Sequence, residues 1–168
     1  MKTKSLKSVF LLIISLTIFS CSSDSDETSA PTPEPPKTKV RITSYKIDAM
    51  PFTTTNNLGW DGINGNPDVY TGLFNNNVLF HTSNVLNDVP SNSLPIGESF
   101  ASPYYLITNL SNTIDVIVMD DDVSPDSDDL IGSVTFVMND YTTGTNKYPP
   151  MVSKLNNGVI VSLNLIWE

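Results

Sequence analysis

Six aspartates crowd one short stretch of this chain: Asp120, Asp121, Asp122, Asp126, Asp128 and Asp129, closed by Leu130-Ile131-Gly132. No basic residue lies among them, and apolar runs flank them at 114–119 and 130–137. Carboxylates at such density repel one another, and a hard cation relieves that repulsion. Ca2+ suits the task because it accepts several oxygen ligands in a loose geometry. The plainer alternative is a solvated acidic turn. A second acidic loop weighs against it.

That loop reads Trp60-Asp61-Gly62-Ile63-Asn64-Gly65-Asn66-Pro67-Asp68-Val69-Tyr70. Two aspartates bracket glycines and asparagines, and a strand pattern starts directly after the second. Glycine lets the backbone wrap closely, and the strand fixes the position of Asp68. Alone the pattern is weak. Paired with the later loop, it gives two acidic loops that a sandwich can bring to one end.

The elements that must hold these loops are strands. Short alternating runs recur at 40–47, 69–74, 78–83, 104–108, 114–119 and 131–138, and no segment carries a sustained helical period. The first has a phase slip near Ser44. The last is the clearest: Val159, Val161, Leu163, Leu165 and Trp167 share one face. Asn75-Asn76-Asn77 is a natural turn between two runs. Segment 139–157 reads as a long polar connection stiffened by Pro149-Pro150. The expectation is all-β: an antiparallel sandwich of about eight strands over residues 38–168.

Here the chain resembles a C2 domain, an eight-stranded sandwich that binds Ca2+ between loops at one tip. Asp61, Asp68 and Tyr70 match the first loop of that family. Asp120, Asp122 and Asp129, followed by Leu130-Ile131-Gly132, match the later one. The resemblance implies Asp61, Asp68, Asp120, Asp122 and Asp129 as metal ligands, with backbone carbonyls at Trp60 and Asp121. Pro67 precedes Asp68 where the family places it after. Each loop is also a residue longer than the common pattern, which leaves Asp128 as an alternative to Asp129. The polybasic strand of some C2 domains has no counterpart.

Other chemistries fit less well. An EF-hand register from Asp120 puts Pro125 where glycine is needed and Ile131 where a bidentate Glu belongs. His81 is the only histidine, so it forms no zinc cluster and no triad, and a structural role is expected. A glycosidase needs two carboxyls facing each other across a sugar, and no cleft is legible. The chain therefore reads as a binding module and not an enzyme. Met50-Pro51-Phe52 and Ile63 either cover the end of the sandwich or form an apolar tip, and covering is the favoured reading. Trp60 belongs to either the core or the tip.

The N-terminus bears on location. Lys2, Lys4 and Lys7 precede an apolar run at 9–19, too short to span a bilayer but suited to a signal peptide over residues 1–20. Ile18-Phe19-Ser20-Cys21 resembles the lipobox of bacterial lipoproteins, which implies acylation of Cys21 and a membrane anchor. Cys21 is the sole cysteine, so no internal disulfide can form. Ser22-Ser23-Asp24-Ser25-Asp26-Glu27 resembles a surface-export signal, and Pro31, Pro33, Pro35 and Pro36 make residues 21–37 an extended tether. The expected location is the bacterial cell envelope, at the outer membrane and exposed on its surface. Removing residues 1–20 leaves 6 basic against 18 acidic residues, a side-chain balance of −12. That excludes nucleic acid as a partner. Lipid headgroups, glycans and proteins remain as Ca2+-dependent ligands, and the rival role is a sandwich whose loops Ca2+ merely stiffens.

Overall fold

The computed structural model describes residues 35–61, 65–122 and 127–168. The signal segment, Cys21 and most of the tether lie outside the described residues, as do Ile63 and Asp126.

Among the described residues, nine strands form two antiparallel sheets. They are β1 (Val40–Ala49), β2 (Val69–Asn75), β3 (Val78–Thr82), β4 (Ile96–Ser99), β5 (Tyr105–Ile107), β6 (Thr113–Asp120), β7 (Asp129–Val137), β8 (Met151–Asn156) and β9 (Val159–Trp167). One sheet runs β4-β1-β9-β8, with β5 also paired to β1; the other runs β3-β2-β6-β7. The all-β sandwich expected from the sequence is present, with nine strands in place of eight. Seven of the nine match runs read from the sequence; β4 and β8 do not, and β8 falls inside the segment read as a polar connection. Asn157 and Gly158, both at positive φ, turn β8 directly into β9.

The core lies between the sheets. Tyr45, Phe136, Ile42, Leu73, Ile114, Val116, Val118 and Leu163 are fully buried or nearly so. β6 alternates strictly between buried and half-buried residues, so one face meets the core. The slip near Ser44 is a register shift against β9 between Ile42 and Ser44, after which Ser44 and Tyr45 are both buried. Trp167 packs partly against the core, and its indole N–H donates to Pro149 O at 2.7 Å.

The sheets are joined by side chains as well as by packing. Through the core, the Tyr45 hydroxyl meets Thr71 Oγ1 at 2.5 Å. At one edge Lys154 Nζ on β8 donates to Thr135 O on β7, and Asn156 Nδ2 donates to Ser133 O. At the other edge His81 Nε2 on β3 contacts Glu98 Oε2 on β4 at 2.7 Å, and its Nδ1 lies 3.3 Å from the Tyr105 hydroxyl on β5. His81 is thus structural, as its isolation in the sequence indicated.

Gly97 sits on β4 in register with Lys46 of β1. A Cβ there would fall 2.1 Å from the backbone oxygen of Tyr45. Gly97→Ala is expected to open the β1–β4 pairing and cost about 2 kcal/mol, within the range of overpacking substitutions. Urea unfolding of parent and variant measures it, and equal midpoints would refute the tight approach.

Candidate metal centre

The acidic loops meet because β2 and β6 are neighbours. Val69, which opens β2, is in register with Asp120, which closes β6. Asp68 and Asp121 therefore face each other just past the ladder, and Asp121 N–H donates to Asp68 O at 2.8 Å. Loop 83–95 joins the same base. Val89 N–H donates to Pro67 O, Val69 and Leu86 exchange backbone hydrogen bonds, and Asp88 N–H donates to Asp68 Oδ1 at 2.6 Å. Asp88 holds φ 51, a left-handed conformation that Asp tolerates better than most residues. Gly65 closes back on Asp61, and a Cβ there would lie 2.3 Å from Asp61 O, so a larger residue cannot make that approach.

Two groups of carboxylates result, each with its oxygens within 4.8 Å of one another. One is Asp61, Asp120 and Asp122; the other is Asp61, Asp68 and Asp88. Four of the five aspartates expected as ligands are brought together, with Asp61 common to both groups. Asp129 belongs to neither group among the described residues. It pairs in register with Asp120 but is exposed, lining a groove of about 540 Å3 with Leu58, Trp60 and Leu130. Asp128 accepts a hydrogen bond from the Tyr70 hydroxyl at 2.5 Å, and this contact pushes the Tyr70 pKa up to about 12. Asp121 lies beside the cluster through its backbone. Trp60 packs partly on the core, its indole N–H donating to Pro51 O at 3.1 Å. Met50 is buried and Phe52 packs against the core, so both cover the sandwich end.

Asp88 is the member that sequence reasoning missed. It stands alone in Ser83-Asn84-Val85-Leu86-Asn87-Asp88-Val89-Pro90, with no second carboxylate to flag it. Only the pairing of that loop with the start of β2 brings it to the site.

Asp120 differs from the others in kind. Its side chain is completely buried, Oδ1 accepts from Asp68 N–H at 2.6 Å, and Oδ2 has no hydrogen-bond partner among the described residues. Burial chiefly, then the charges of Asp61, Asp122 and Asp68, push its pKa up to about 6, against the lowering effect of the Asp68 amide. Asp61 is also raised, by desolvation first and then by Asp68, Asp122 and Asp88. A buried, orphaned carboxylate oxygen grouped with two further carboxylates is the donor set a hard cation requires. The residues present fit Ca2+.

By sequence, the chain matches no protein-family model and no curated protein. By structure, it is similar to solved C2 domains. A chain solved as "Structure of a C2 domain" is 12% identical with a TM-score of 0.48, covering 77% of this chain and 97% of that one. The calcium-bound tandem C2 domains of extended-synaptotagmin 2 are 18% identical with a TM-score of 0.48, covering 79% and 46% respectively. Human GIVD cytosolic phospholipase A2 is 16% identical with a TM-score of 0.45, covering 80% and 17%. The chain therefore spans less than half the length of the last two. These likenesses concern the fold.

The raised pKa of Asp120 has a consequence for the metal-free protein. A carboxyl at about 6 in the folded state, against 3.8 in the unfolded chain, favours folding when protonated. That contribution is complete below the unfolded value and is lost as pH rises through about 6, a change of about 3 kcal/mol. Metal-free protein is expected to lose stability between pH 4 and pH 7, and Asp120→Asn to flatten the slope. Denaturant titrations in EDTA at several pH values test this, and parallel slopes in both proteins would count against it.

Proposed function

We propose that the chain is a lipid-anchored protein of the bacterial cell envelope. Its C2-like sandwich binds Ca2+ through Asp61, Asp68, Asp120 and Asp122, with Asp88 as an additional ligand. The observation that carries this reading is the orphaned Oδ2 of buried Asp120, grouped with Asp61 and Asp122. Bound Ca2+ supplies positive charge and open coordination positions at the loops. The aspartates hold it, and the β2–β6 register brings Asp68 and Asp120 to one end of the sheet. Anionic oxygens of a partner are the natural occupants of the open positions: a lipid headgroup, a glycan or a protein carboxylate. Loops of this kind bind at a Kd of about 10⁻⁴ to 10⁻³ M in extracellular modules, where calcium is plentiful. No turnover is assigned to the aspartates.

One observation favours a second reading. Asp68, Asp88, Asp120 and Asp121 are already joined at their base by backbone hydrogen bonds, so a cation need only tie Asp61 to that base and do nothing more. Liposome pelleting with and without Ca2+, on a chain beginning at Ser22, separates docking on lipid from simple stiffening.

Thermal unfolding of that same chain tests the metal reading. At one hundred times Kd the ion stabilises by about 2.7 kcal/mol, a rise in Tm of ~10 °C over EDTA. The double variant Asp120→Asn/Asp122→Asn is expected to lose the rise, and Asp88→Asn to lose part of it. A parent Tm indifferent to Ca2+ raised to about 100 mM, one hundred times the weaker Kd, would leave the aspartates as solvated surface.

A further inference from the structure

A second groove opens on the molecule and shares no residue with the acidic loops. It encloses about 520 Å3 and is lined by His81, Glu98, Phe100, Pro103, Tyr104 and Tyr105, among others. Its walls are aromatic. Phe100 and Tyr105 meet edge to face at 4.6 Å between centroids, Phe80 backs Tyr105 at 4.7 Å, and His81 stands on Phe100 at 4.9 Å. This volume lies within the range of small-molecule sites, which typically combine apolar walls with a few fixed polar groups.

The polar groups here are fixed. His81 Nε2 lies 2.7 Å from Glu98 Oε2, and its Nδ1 lies 3.3 Å from the Tyr105 hydroxyl. The chain Tyr105–His81–Glu98 orients the carboxylate at the wall. Tyr104 adds a separate sign of constraint: it holds φ 63, an unusual conformation for a bulky residue, in a turn closed by its N–H on Ala101 O. The lining contains one carboxylate and neither lysine nor arginine. Arg41 lines the adjoining groove with Pro103 and Tyr104, but its guanidinium is engaged by Glu168 and by Pro103 O at 2.7 Å.

Aromatic rings present negative faces, and the Glu98 carboxylate, held by His81 through Oε2, adds an acidic group among them, so the complement is a positively charged group that sheds water easily. An ammonium carrying alkyl groups meets that description; a strongly hydrated metal ion and an anion do not. The geometry points to a binding site for a quaternary ammonium group, of the choline type, at the edge of the sandwich where β3 faces β4 and β5. It is independent of calcium.

The test is a titration of the full chain carrying Cys21→Ser, in EDTA, with choline chloride, followed by backbone amide NMR shifts. The reference is 3,3-dimethylbutan-1-ol, the uncharged carbon analogue of choline, at matched ionic strength. Choline is expected to give saturable shifts at His81, Glu98, Phe100 and Tyr104, with the alcohol at least tenfold weaker. Glu98→Gln keeps the shape of the side chain and is expected to weaken choline about tenfold. Tyr104→Ala, away from the core, is expected to do so comparably and serves if Glu98→Gln fails to fold. Four outcomes overturn the proposal: no saturable shift, shifts confined to the acidic loops, equal binding of the alcohol, or unchanged affinity in both folded variants. Equal binding of the alcohol would make the groove an apolar site without charge preference.

Discussion

The burial of the Asp120 carboxylate at the end of β6 is the constraint around which this tip is organised. An exposed aspartate is hydrated and makes no demand on its neighbours, whereas a buried one must find a proton, a donor or a cation. Asp120 finds one donor, the Asp68 amide, and leaves Oδ2 unsatisfied. Its neighbours worsen the position, since Asp61, Asp122 and Asp68 all disfavour its charge. The β2–β6 register makes the arrangement unavoidable: pairing Val69 with Asp120 brings Asp68 and Asp120 to the same end of the sheet. A slip of one residue would turn Asp120 to the other face and remove both the burial and the cluster.

The two sheets are held apart and together by the same side chains. Tyr45 and Thr71 bridge them through the core, where an isolated hydroxyl would be costly. The open edges carry different devices: lysine and asparagine reach across to backbone oxygens at the β7–β8 edge, and an imidazole clasps a carboxylate at the other. These edge contacts use residues that a sandwich built only on alternation would place in solvent. They also blunt edge strands, which otherwise invite pairing with another chain.

Much of this was legible beforehand, for identifiable reasons. The strict alternation of β9 and the apolar runs of β6 and β7 announce themselves because one face of each must be buried. Even the irregularity near Ser44 showed, since a bulge shifts the phase of a pattern. β4 and β8 did not show because edge strands bury little: β8 buries only Val152, and β4 has no fully buried residue. Their pairing is decided by the partner strand, which local sequence does not encode. The site followed the same rule. Asp61, Asp68, Asp120 and Asp122 stood out as clusters along the chain, while Asp88 joins them only through a tertiary pairing. Asp129, adjacent in pattern, is carried off by its own strand toward the groove beside Trp60 and Leu130.

The division of labour within the cluster follows from which members are already fastened. Asp68, Asp88 and Asp120 are tied to one another through amides of the β2 start, the β3–β4 loop and the β6 end, three points on or beside one sheet. Asp61 comes from the long β1–β2 loop and takes part in both carboxylate groups. A cation held here therefore does little to assemble the base, which backbone hydrogen bonds hold already. What it adds is the attachment of the Asp61 side to that base, against the desolvation first and then the carboxylate repulsion that raise the Asp61 pKa. The net effect on stability is the attraction of the ion for all the carboxylates, less the cost of gathering Asp61 to them. Because the base is preformed, that cost falls on one loop, and loop closure grows only slowly more costly with length. A long first loop is thus compatible with a functioning site, and the extra residue before Asp68 needs no compensation elsewhere in the fold.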